Sequence, residues 1–68
     1  MKAKELIGMD ISTARSRLGY WWLVDGQHIH GNYGFYTFFR CGVGRVELRT
    51  ELNKVTDAFP PELDIDRQ

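Results

Sequence analysis

Apolar runs of membrane-spanning length are missing from this chain, whose longest unbroken stretch is Tyr20–Val24. A bilayer-crossing helix needs about 20 apolar residues. The opening MKAKELIG likewise holds no apolar run of the kind a secretory leader uses. Cysteine occurs once, at Cys41, so an intrachain disulfide is excluded. The lone thiol and the missing leader point to a reducing, cytoplasmic setting, with a secreted mature form left open. An excess of charge is missing too, because nine Lys and Arg balance nine Asp and Glu. That removes the long-range field on which general nucleic-acid affinity rests. No nucleic acid and no membrane is expected among its partners. Prolines stand only at Pro60 and Pro61, where they end regular structure.

What the chain does have is aromatic side chains. At 68 residues there is room for one domain, which buries only about 60% of the surface its unfolded form exposes. With no disulfide available, the core is expected to come from aromatics, roughly five or six of Tyr20, Trp21, Trp22, Tyr33, Phe35, Tyr36, Phe38, Phe39 and Phe59 being enough to carry it. Each buries roughly 150–250 Å² when enclosed.

The clearest pattern is RVELRTELNKVTDAF, residues 45–59. Val46 and Leu48 alternate with Arg45, Glu47 and Arg49, the period of a strand with one dry and one wet face. Lys54–Phe59 returns antiparallel after a polar link. Upstream, Asp10 is placed to cap a helix reaching Leu18, with Ile11, Ala14 and Leu18 on one stripe and Gly19 as its stop. Tyr20–Asp25 is continuously apolar up to its last residue and predicts a central strand covered on both faces. Gln27–Gly34 has no clear period and reads as a loop. The expected architecture is α+β: one short helix on a small, mostly antiparallel sheet of three to four strands. Residues 1–59 form the domain and 60–68 a flexible acidic tail. Ile11, Leu18, Trp22, Val46 and Leu48 are the expected core.

Constellations for catalysis are sparse. His28 and His30 share a face if extended, yet two imidazoles and a distant Cys41 do not complete a metal set. Cys41 with a histidine lacks a third orienting group. Gly42-x-Gly44 lacks the Lys-Ser/Thr of a phosphate loop. No catalytic residue, metal or cofactor is expected. The segment YGFYTFFRCGVG, residues 33–44, admits two readings. Phe35–Arg40 is either a strand hairpinned onto Arg45–Thr50, or part of a loop displayed to a partner; aromatics so displayed would mark a binding surface.

The order of motifs resembles the potato inhibitor I family. The matching features are Glu5-Leu6-Ile7-Gly8, the helix with Ala14, a hydrophobic strand, a loop, and Arg45-Val46-Glu47-Leu48 before a short return strand. The resemblance implies serine-protease inhibition through an extended loop around Thr37–Arg40. Thr37 then precedes Phe38 as the pocket-filling residue, Phe39 lies across the scissile bond, and Arg45 braces the loop from beneath. It also implies a chymotrypsin-like or subtilisin-like protease as partner. The chain departs from the family pattern at Phe39, where an acid is common, and at Glu47, where a second arginine is common. Gly8-Met9, the helix through Gly19 and Lys54-Val55-Thr56 are similar, more distantly, to the small lipoprotein component of outer-membrane assembly machinery. That second resemblance implies a non-inhibitory protein-interaction module with an aromatic surface.

Overall fold

Alternation drives the sheet at its C-terminal half. The computed structural model describes residues 1–66, and within it Val46 and Leu48 are fully enclosed while Arg45 and Arg49 face out. Four strands form, β1 (Leu23–His30), β2 (Tyr33–Arg40), β3 (Gly44–Glu51) and β4 (Lys54–Phe59). Each pairs antiparallel with the next in the order β1-β2-β3-β4. A 3-10 turn at Ala3–Leu6 and one helix, α1 (Ile11–Leu18), precede them. The α+β expectation therefore holds, with a wholly antiparallel sheet.

The helix begins where Asp10 places it, although the cap is backbone rather than side chain. Asp10 O accepts from Ala14 N–H at 2.9 Å, and Ile11 N–H donates to Asn53 O at 2.8 Å. Its last turn closes when Gly19 N–H donates to Arg15 O at 3.0 Å, with Gly19 at φ +84. That φ favours a residue without a Cβ. Ala14 and Leu18 are buried, whereas Ile11 is only half-buried at the rim.

Two layers enclose the core. Tyr36, Phe38, Val46, Leu48, Val55 and Ala58 point down from the sheet. Ala3, Leu6, Ala14, Leu18, Trp22 and Ile65 come up from the segments beneath.

Three expectations need correction. The first is the Tyr20–Asp25 strand. Tyr20 and Trp21 lie in an exposed turn where their rings stack, centroids 4.9 Å apart, and only Trp22 enters the core. The strand itself runs Leu23–His30 at a sheet edge and is largely exposed. A run of apolar residues cannot distinguish a buried strand from a turn that anchors a single ring. The second is the 27–34 loop, which is instead two strand ends joined at Gly31-Asn32. There His30 pairs with Tyr33, and Gly31 has φ +61. A glycine at the first turn position suits the tight hairpin.

The third is the tail. Residues 60–66 belong to the domain, and only residues 67–68 of the expected tail lie outside those described. Ile65 is 1% exposed, its carbonyl accepts from Trp22 Nε1 at 3.1 Å, and Ala3 N–H donates to Leu63 O at 2.8 Å. Leu63 and Ile65 are the apolar alternates of an otherwise charged stretch, enough to seat it on the N-terminal segment. Among the described residues, no helix is long and apolar enough to cross a membrane.

Candidate binding face of the sheet

Strand register decides which side chains share the uncovered face. Phe38 pairs with Val46 and Tyr36 with Leu48, so the even-numbered positions of β2 point into the core. The odd ones point away. Rows then cross the outer face: His28, Phe35, Arg49 and Asp57 in one, His30, Tyr33, Glu51 and Lys54 in the next. Further along stand Gly26, Thr37, Glu47 and Phe59, then Leu23, Phe39 and Arg45. The helix, the 3-10 turn and the C-terminal segment all contribute to the opposite face.

On the outer face β2 presents Tyr33, Phe35 and Phe39, and its interior neighbour β3 presents a row of alternating charge, Arg45, Glu47, Arg49 and Glu51. Tyr33, Phe39 and Phe59 are exposed and Phe35 is half-buried. Arg49 lays its guanidinium 5.8 Å from the Phe35 ring centre, within range of a cation–π attraction. A groove of about 510 Å³ runs over this region, lined by His28, His30, Tyr33, Phe35, Arg49 and Asp57 among others. At the far end Arg45, Glu47, Phe59 and Pro60 frame a shallower one.

Two bulges shape the face. Asp25 is the extra residue where β1 shifts register between Val24 and Gly26, and its carboxylate meets Arg45 Nη2 at 3.1 Å. Thr56 is the extra residue in β4, where its hydroxyl donates to Arg49 O at 3.3 Å. Bulges bend a strand and re-aim its side chains.

The residues assigned to a protease-binding loop do not form one. Thr37, Phe38, Phe39 and Arg40 lie within β2, an interior strand paired on both sides. Phe38, the expected pocket-filling residue, is 2% exposed. Thr37 and Phe39 do reach the outer face, with Thr37 Oγ1 donating to Gly26 O at 3.4 Å. Arg45 braces no loop; it bonds Asp25 across the sheet. His28 and His30 share a face as expected, but no third metal-ligating partner joins them among the described residues. Cys41 is exposed in the β2–β3 turn, at the other end of the sheet. At ~3.3 Å per residue along β2 that separates it from His30 by about 25 Å.

Asp57 belongs to this face without having been singled out in the sequence, while Tyr33 and Phe35, counted among the aromatics for the core, stand on it beside the wet-face Arg49. Observed register assigns the two aromatics. The short Cys41–Val43 link pairs Arg40 with Gly44 and so even with even. With Val46 and Leu48 inside, Tyr33 and Phe35 must point out. Comparison with protein-family models, curated proteins and solved structures returned no match for this chain.

Proposed function

We propose that this protein is a non-enzymatic protein-interaction module that meets its partner through the outer face of the sheet. The observation that carries this reading is a sheet face with Tyr33, Phe35, Phe39 and Phe59 on it and no element among the described residues contributing cover. Exposed aromatic surface is typical of protein-binding sites. Arg45, Arg49 and Lys54 alternate there with Glu47, Glu51 and Asp57. Mixed signs favour a protein surface of mixed charge over a polyanion. Inhibition of a serine protease through Thr37–Arg40 calls for an extended loop with Phe38 displayed, whereas these residues lie in β2 with Phe38 turned into the core.

A photo-crosslinking residue tests the reading. Placed at Phe39, it is expected to trap a discrete partner in cells, while the same group at Thr13 on the exposed side of α1 traps none. Equal adducts from both positions, or none from Phe39 or Phe35, would overturn it. Titration of chymotrypsin and subtilisin with the purified protein is expected to leave both active; tight stoichiometric inhibition would restore the protease reading.

A further inference from the structure

The two edges of the sheet are treated differently by the chain. Along β4, the N-terminal segment provides cover: Gly8 N–H donates to Val55 O and Val55 N–H to Met9 O, each at 2.8 Å. Asp10 continues that contact as a bridge to Lys54. Along β1 nothing in the described chain pairs with the outer edge. Natural edges are usually blunted by lysine, proline, inward charge or a bulge. Leu23–His30 contains no lysine, arginine or proline, and its one bulge guards only the end at Val24–Gly26. Gly26–His30 is left as an open template.

We propose that this edge pairs with the same edge of a second copy of the chain, antiparallel and two-fold, with His28 opposite His28 of the other copy. His30 and Tyr33 close a tight turn, and the closing pair of such a hairpin is hydrogen-bonded. The backbone groups of His28 and His30 therefore point to β2, and those of Gln27 and Ile29 point outward. Pairing centred on His28 lets Gln27 and Ile29 of each copy exchange backbone bonds with Ile29 and Gln27 of the other. It also sets Gly26, which has no side chain, opposite His30.

Charge and surface favour a second copy as the occupant. Asp25 is the only formally charged residue of the strand at pH 7, and Arg45 holds it at 3.1 Å. Two copies thus meet without like-charge repulsion along the seam. A stable interface takes about 800 Å² from each partner, and five residues of edge supply only part of that. The underside beside the edge supplies more: Val24 and Ile29 are 45% and 57% exposed, and Tyr20, Trp22 and Val24 line a groove there whose far wall holds Arg15. An isologous dimer would run the two sheets together and join the two outer grooves at their His28 walls.

Disulfide trapping tests the register. In a Cys41→Ser background, His28→Cys is expected to give a covalent dimer on mild oxidation, because opposed non-hydrogen-bonded residues lie ~4.5 Å apart at Cα. His30→Cys is expected to give at least tenfold less. Sedimentation of the unaltered protein should show a concentration-dependent dimer that Ile29→Lys weakens at least tenfold with an unchanged circular dichroism spectrum. A strictly monomeric protein at millimolar concentration would overturn the proposal. So would trapping through Phe39→Cys in place of His28→Cys, which would locate self-association on the outer face.

Discussion

Phe38 is 2% exposed and Phe39 42%, although they are adjacent and chemically identical. Successive strand residues point to opposite faces, so Phe38 fills the core against Val46 while Phe39 stands in the row with Arg45. Removing each ring should therefore have different consequences. Phe38→Ala is expected to cost about 3–5 kcal/mol through lost burial and the cavity left behind, read as a large drop in urea midpoint. Phe39→Ala should change stability by less than ~0.5 kcal/mol, as exposed substitutions usually do, while weakening capture of the partner. Equal stability losses would mean that the register of β2 is wrong. Leu48, also fully enclosed, should behave like Phe38, with Leu48→Ala costing about 2–5 kcal/mol.

The turn between β3 and β4 is the element whose local chemistry fits least well. Leu52 and Asn53 have φ +52 and +67 between the paired residues Glu51 and Lys54. Both central positions of such a turn want Asn, Asp or Gly. Asn53 fits; Leu52 is 66% exposed and gains no burial in return. Its amide does serve the fold, donating to Asn32 O at 2.8 Å and tying the two hairpin turns together. That bond survives a side-chain change. Leu52→Asn is expected to add about 1 kcal/mol by relieving the left-handed backbone of a residue that disfavours it, raising the melting temperature by roughly 4–8 °C in a domain of this size. A lowered melting temperature would show that the leucine side chain has a packing role.

On the scale of the whole molecule, the N-terminal segment and residues 61–66 hold each other. Ile65 occupies the core beside Trp22, and Ile65→Ala is expected to destabilise by about 2–5 kcal/mol; a neutral result would return residues 60–66 to the status of a tail. Around that apolar anchor the pairing is ionic. Lys4 Nζ and Lys2 Nζ meet the Glu62 carboxylate at 2.8 and 2.9 Å. The hydrogen bonds from Lys4 and Lys2 lower the Glu62 carboxyl to about 2 from its ordinary 4.5. A depressed carboxyl contributes stability above its unfolded value and loses it as pH falls through the folded one. The difference in melting temperature between the unaltered protein and Glu62→Gln should therefore be present above pH 4.5 and vanish toward pH 2. Since the pair is exposed, the difference should be small and shrink with salt. A difference that grew on acidification would contradict the pairing.

The sequence by itself determined the elements whose periodicity was unambiguous. Val46 and Leu48 inside, the return strand Lys54–Phe59, and the helix ending at Gly19 all follow from spacing that tolerates one orientation only. Tertiary structure decided the rest, because elsewhere the local pattern was degenerate. Tyr33–Phe39 carries aromatics on both faces, so alternation could not say which ring was core until pairing with β3 imposed a parity. Tyr20–Val24 is apolar throughout, yet only Trp22 has a cavity and a carbonyl, that of Ile65, to receive it. Leu63 and Ile65 looked too few and too charged in their surroundings to fold. Ile65 is buried and Leu63 half-buried against a core to which Ala3, Leu6 and Trp22 contribute from distant parts of the chain. Periodicity reports a face, and only a neighbouring element can say whether that face is covered.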